Sequence, residues 1–245
     1  MRNIKLTIEY DGRDFNGWQK QPNKLNIQGT IENAIKAITG EEVELNASGR
    51  TDAGVHAYAQ VANFKTNSNL PIEKFPLAIN SKLKKSIIIK NAEEVDERFH
   101  SRLTCKRKTY RYVINNSSLG TAIYRNLEYH VSAKLDVEKM KEAVKHFEGE
   151  HDFKAFKASG TSSKSSVRTI FNANVYSIDE KIYIELTGNG FLDNMVRIIA
   201  GTLVEVGLGK ILPSEIQQII EAGKRESAGK TLPPHGLYLL NVEYE

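Results

Sequence analysis

Apolar residues alternate with polar ones at the start of the chain: Ile4, Leu6, Ile8 and Tyr10 predict a strand over residues 3–10. The period then lengthens. Ile27, Ile31, Ala34, Ile35 and Ile38 fall at helical spacing, and Gly40 is expected to stop that helix. Val43, Leu45 and Ala47 alternate with Glu42, Glu44 and Asn46 and predict a second strand. Residues 60–66 predict a third, and residues 86–92, with Ile87, Ile88 and Ile89, a fourth. Between these two, residues 71–81 predict a short helix that Pro76 should disturb. The order is β-α-β-β-α-β.

A comparable series follows. Residues 106–115 predict a strand. Asp136 is placed to cap a helix carrying Val137, Met140, Val144 and Phe147, with Gly149 expected to end it. Residues 170–177 and 181–187 predict paired strands around Ile178-Asp179-Glu180, and Leu192, Met195, Val196, Ile199, Leu203 and Val206 form a long helical stripe. Ser214 with Gln217 has the spacing of a capping box, and residues 237–244 alternate as a last strand. Both series fit the split βαβ pattern of ferredoxin-like domains. The expected fold class is α+β: two tandem ferredoxin-like, RRM-like halves with antiparallel sheets, covering 1–103 and 104–245. Residues 158–166 are small and polar and read as a flexible loop.

Composition narrows the class. The 245 residues are 40% apolar and 26% charged, which argues against disorder, collagen and coiled coil. One cysteine, Cys105, leaves no intrachain disulfide and no zinc site of the usual kind. No secretory signal is visible, and no apolar run approaches the ~20 residues of a membrane span, so a cytoplasmic location is expected. The net charge of +4 names no partner by itself, but its distribution is uneven. Six of the fifteen residues from Arg98 to Tyr112 are Lys or Arg, three are aromatic and none is acidic. Residues 153–168 hold four more basic residues, again without an acid. Cations for phosphate interleaved with aromatic faces for bases suit RNA, although a solvated basic strand face would look the same.

The segment Ser48-Gly49-Arg50-Thr51-Asp52-Ala53-Gly54-Val55-His56-Ala57 is the densest in chemistry. Its glycines allow sharp turns around polar and charged groups. Asp52 could act as nucleophile or base, with Arg50 close enough in sequence to hold a phosphate or the carboxylate. A plain turn, with Asp52 accepting from local amides, is the alternative. A metal held by Asp52 and His56 is disfavoured, because Gly54 breaks the helix that would align them and no third ligand is near.

Gly49-Arg50-Thr51-Asp52-Ala53-Gly54-Val55-His56-Ala57 resembles the signature loop of the TruA family of tRNA pseudouridine synthases, and the likeness runs through nearly the whole chain in order. Tyr10-Asp11-Gly12 with Phe15, Gly17-Trp18-Gln19 and Gln21, then Gln28, resemble the opening motifs. Phe99-His100-Ser101-Arg102 and Tyr110-Arg111-Tyr112 resemble the middle ones. Gly149, His151-Asp152-Phe153, Phe156 and Val167-Arg168-Thr169-Ile170 resemble those that follow. Gly188-Asn189-Gly190-Phe191-Leu192 with Met195-Val196-Arg197 and Gly201 resembles the late helix motif, and Pro234 with Gly236-Leu237 the end. Asp193 and Leu232 depart from the pattern at positions where no chemistry is expected.

The resemblance implies isomerisation of uridine to pseudouridine at positions 38, 39 and 40 of the tRNA anticodon arm. No cofactor or metal is implied, and the glycine patterns of dinucleotide and nucleotide sites are absent from the sequence. Asp52 is implied as the nucleophile; attack at C1′, addition at C6 and assistance to a glycal all stay open. A carboxylate in a dry pocket needs a nearby cation to stay ionised, and the family implies Arg197, which would place the active site in a cleft between the halves. Tyr110 is implied to stack on the target base, and is a candidate for removing the C5 proton. Arg50 is implied to help extrude the nucleotide. Arg102, Lys106, Arg107, Lys108, Arg111 and Arg168 are candidate phosphate contacts, while His56 and Trp18 read as packing residues. The partners implied are tRNA and a second copy of the chain, with no membrane. The rivals are an RRM-type binding module, for which no RNP1-like pattern exists, and a metal-dependent nuclease.

Overall fold

The computed structural model describes residues 1–158 and 165–244, so most of the loop read at 158–166 lies outside the described residues. The chain divides into two units: Met1–Lys106 with Tyr238–Glu245, and Arg107–Leu237.

In the first unit the alternating start becomes β1 (Arg2–Tyr10), with Ile4, Leu6 and Ile8 fully buried. Helix α1 (Ile27–Thr39) buries Ile27, Ile31 and Ile35. Its first turn is capped by Asn26, whose side chain accepts from Gly29 N–H at 2.8 Å, and it ends at Gly40 as expected. The second strand is far shorter than its alternation suggests, only β2 (Asn46–Ala47). The reason lies in α1. The buried Glu32 carboxylate accepts from Leu45 N–H at 3.1 Å, so that backbone group is satisfied by a helix side chain rather than by a ladder. β3 (His56–Thr66) runs antiparallel to β1, and β2 pairs along its far half. Pro76 does not disturb the next helix. It sits in the first turn of α2 (Phe75–Asn80), where a missing N–H costs nothing. β4 (Ile87–Val95) closes the other edge of β1. The strand order β4-β1-β3-β2 is the split βαβ arrangement.

The last strand, β10 (Leu237–Glu243), pairs in parallel with the start of β3, setting Tyr238 opposite His56 and Leu239 opposite Ala57. Lys106 N–H also donates to Glu243 O at 2.8 Å. An alternating pattern says which side chains face inward but not which strand lies alongside, and the β3 neighbour of β10 is a fact of the fold.

In the second unit β5 (Arg107–Asn115), β9 (Lys181–Gly188), β8 (Val167–Ile178) and β7 (Gly149–Asp152) lie side by side, each antiparallel to the next. A two-residue strand, β6 (Tyr129–His130), runs parallel to the end of β5. Helix α3 (Val137–Lys145) is capped by Asp136 as expected. It stops at His146, not at Gly149, which instead opens β7 with φ 105. Helix α4 (Met195–Gly207) packs on α3 and buries Ile198, Ile199, Leu203 and Val206. The Ser214–Gln217 capping box does not form at α5 (Glu215–Ala222). Ser214 has helical backbone angles and makes no cap bond, Glu215 accepts from Leu212 N–H, and Gln217 turns to Glu221.

Candidate active site

The loop between β2 and β3 is fixed through its backbone. Ser48 N–H donates to Val61 O at 2.8 Å, and the Ser48 hydroxyl to Gln60 Oε1 at 2.6 Å. The Gln60 amide in turn donates to Gly49 O at 2.9 Å. On the other side the Tyr10 hydroxyl pairs with the Thr51 hydroxyl at 2.8 Å, and Trp18 N–H donates to Thr51 O at 3.0 Å. Burial pushes the Tyr10 phenol up to about 12, which keeps it neutral beside the loop. The turn closes with Val55 N–H donating to Asp52 O at 3.2 Å.

Gly12 shows how tightly the β1–α1 connection presses on this loop, since a Cβ there would lie 2.0 Å from Val55 O. Arg50 and Asp52 are nevertheless exposed, so this loop presents charged side chains on a fixed backbone. The dry surroundings expected for Asp52 are not supplied by its own loop. Trp18 and His56 are 2% exposed. His56 stacks on Tyr238 at 4.8 Å, and its Nδ1 faces Gly12 N–H and the Asp11 carboxylate, each at 3.2 Å. Among the described residues no three His, Cys, Asp or Glu side chains gather as the ligands of a metal ion would.

In the second unit, alternation along β5 buries Tyr110 and Tyr112. The Tyr110 ring meets Phe191 edge-on, with centroids 5.1 Å apart. Phe191 ends the Gly188–Phe191 turn, which is tied to β8 by two bonds of 3.0 Å between Thr169 and Asn189. Arg168 flanks the same turn, its Nε 3.6 Å from where a Gly190 Cβ would stand, and burial lowers its pKa. Tyr110 and Arg168 thus both border the Gly188–Phe191 turn.

Arg197 occupies the first turn of α4, where the helix dipole disfavours a cation. Two acceptors hold it there: its Nε donates to Leu232 O at 2.7 Å, and its Nη1 to Asn194 Oδ1. Leu232 N–H returns a bond of 3.2 Å to Arg197 O. The strand of chain that supplies these groups fits only because α4 has a glycine there, for a Cβ on Gly201 would lie 1.9 Å from Lys230 O. Asn194 holds φ 63, the left-handed region, which directs its side chain over the turn.

A family model described as tRNA pseudouridine synthase matches residues 6–103 and 143–245. The chain belongs to the tRNA pseudouridine synthase family. Curated relatives agree over their full lengths. A tRNA pseudouridine synthase A of Acetivibrio thermocellus is 54% identical over 244 residues, covering 100% of both chains. A tRNA pseudouridine synthase A 2 of Clostridium perfringens is 54% identical with the same coverage. A tRNA pseudouridine synthase A of Ruminiclostridium cellulolyticum is 51% identical over 245 residues, again covering 100% of both. A solved Cbf5-Nop10-Gar1 complex aligns with 96% of this chain and 57% of that one, at 13% identity and a TM-score of 0.40, too slight a likeness to argue from.

The candidate phosphate contacts of this synthase differ in their surroundings. Arg102, Lys106 and Arg107 are exposed, Arg107 with its guanidinium 4.9 Å from the Phe171 ring centroid, and Lys108 is half-buried. Arg111 is half-buried too, and its guanidinium bonds Glu185 through Nε at 2.7 Å and Nη2 at 2.6 Å. The Tyr176 hydroxyl shares the same carboxylate oxygen at 2.8 Å. Glu185 stands directly across from Arg111 in the β5–β9 ladder, a pairing that spacing along the chain could not reveal. The acceptors of Arg197, Asn194 Oδ1 and the Leu232 carbonyl, likewise carry no signal in the spacing along the chain.

Proposed function

We propose that the chain isomerises uridines 38, 39 and 40 of the tRNA anticodon arm, with Asp52 as nucleophile and without a cofactor. Conversion of uridine to pseudouridine in tRNA follows from family membership and from the names of relatives matched end to end. The observation that carries the finer reading is Asp52 itself: an exposed carboxylate on a backbone pinned at Ser48, Gly49, Thr51 and Val55. Pre-set geometry of this kind removes the entropic cost of aligning a nucleophile with a sugar carbon or a base.

The reaction balances without any donor. The N1–C1′ bond breaks, C5–C1′ forms, C5 loses a proton and N1 gains one. Arg197 is the cation that keeps Asp52 ionised once RNA excludes water. Tyr110 stacks on the uracil, Arg50 helps to extrude the nucleotide, and the exposed basic residues at 102–108, with Arg168, meet phosphates. The chain works as a cytoplasmic homodimer in this reading; no helix of the described residues is long and apolar enough to cross a membrane.

The test is tritium release from tRNA labelled at C5 of uridine. Asp52→Asn is expected to bind tRNA as the unaltered chain does and to release no tritium, and Arg197→Ala to lose activity. Turnover by Asp52→Asn at the unaltered rate would exclude Asp52 as the nucleophile. A near-unaltered rate for Arg197→Ala would mean that another group keeps Asp52 charged.

A further inference from the structure

Three aromatic rings of the first unit lie nearly parallel just beyond the Asp52 loop. Tyr238 stacks with His56 at 4.8 Å and 21°, and with Tyr58 at 5.5 Å and 24°. His56 is buried, Tyr238 half-buried and Tyr58 52% exposed, so the group runs from the core to the surface. The backbone here departs from a regular ladder. The β1–β3 register jumps between Ile8, which faces Gln60, and Tyr10, which faces Ala57. Two residues of β3, Tyr58 and Ala59, therefore oppose the single residue Glu9, which is a β-bulge. Bulges re-aim side chains and concentrate beside active sites.

An ion pair lies against the inner ring of the stack. Asp11 Oδ1 lies 3.2 Å from His56 Nδ1, and the Asp11 carboxylate holds the Arg13 guanidinium through Nε at 2.9 and 3.0 Å. The Arg13 side chain remains 43% exposed. An outward tyrosine backed by a second ring offers the kind of stacking face that single-stranded RNA uses for its bases.

We propose that Tyr58, backed by Tyr238, is a stacking platform for an unpaired nucleotide of the tRNA substrate, distinct from the uridine being isomerised. This rests on the reading of Asp52 as the catalytic loop's nucleophile, because it is that loop which brings tRNA to β3. Tyr58 is a binding and positioning residue and takes no part in bond changes.

The test separates the two readings. Tyr58→Ala is expected to weaken tRNA binding about tenfold while kcat on saturating tRNA changes less than about twofold, and Tyr58→Phe to restore binding. Trp18 is the chain's one tryptophan and is buried, so Tyr58→Trp adds a surface reporter whose emission tRNA should quench. Unchanged affinity in Tyr58→Ala, equal binding by Tyr58→Leu, or no quenching in Tyr58→Trp would each overturn the platform. So would a halved mass of Tyr58→Ala in light scattering at unchanged tRNA affinity, which would assign the ring to contact between copies. Asp52→Asn run beside these variants tells the failures apart: if it turns over normally, the catalytic reading falls, whatever Tyr58 does.

Discussion

In the Gly49–Ala57 loop hydrogen bonds fix the backbone beneath exposed charged side chains; at the start of α4 hydrogen bonds hold the charged side chain itself. Thr51 and Gly49 are held by Tyr10, Trp18 and Gln60, while Arg50 and Asp52 stay exposed. Arg197 donates from Nε to Leu232 O and from Nη1 to Asn194 Oδ1. A short carboxylate has few rotamers, so fixing its backbone nearly fixes the group. A long guanidinium has many, so it needs acceptors at its far end. Damage to the loop should therefore come from neighbours that press on its backbone, and damage to α4 from loss of single acceptors.

The sharpest way to break this contrast is Gly12→Ala. The added carbon meets Val55 O, so the loop must shift, and a displacement near 1 Å is expected to lower kcat about a hundredfold. Rapid kinetics on tRNA measures it, with the melting temperature as the control for global unfolding; an unchanged kcat would show that the loop tolerates movement. Next in size is Asn194→Gly. Glycine accepts the left-handed backbone at 194 but removes one acceptor of Arg197, and loss of one bond to a charged group is expected to cost about tenfold in kcat with little change in melting temperature. The smallest effect separates two kinds of arginine and lysine. Lys106→Gln is expected to lower the slope of log affinity against log salt by about one, whereas Arg111→Gln leaves it unchanged, because Glu185 already neutralises Arg111. Equal slopes for the two variants would erase the distinction.

Much of the scaffold could be read from the chain because its elements are local. β1, α1, the β8–β9 hairpin and α4 follow from period and caps. What escaped depends on partners distant in sequence. Alternation at 42–47 suggests a full strand, but Glu32 on the preceding helix takes Leu45's N–H and the ladder shrinks to two residues. β10 alternates as a strand should, but alternation does not name its neighbours, and its parallel register beside His56 and Ala57 comes only from the fold. Gly149 and Ser214 carry the right residue types for a helix stop and a cap, but the helices end and begin elsewhere by backbone geometry. The candidate site shows the same division. Asp52 and Arg50 stand in one contiguous motif. The groups that hold Arg197 come from 35 residues further along the chain and from a left-handed residue three positions earlier. Basic residues were countable in the sequence, but that Arg111 is already paired is a fact of sheet register.

The central claim, that this chain's Asp52 makes pseudouridine at neighbouring anticodon-arm uridines, is tested most directly by mapping pseudouridine in tRNA from cells that lack the protein. The map should lose its signal at positions 38, 39 and 40, regain it when the unaltered chain is supplied, and stay blank when Asp52→Asn is supplied at equal abundance. Persistence of those signals without the protein, or their return with Asp52→Asn, would contradict it.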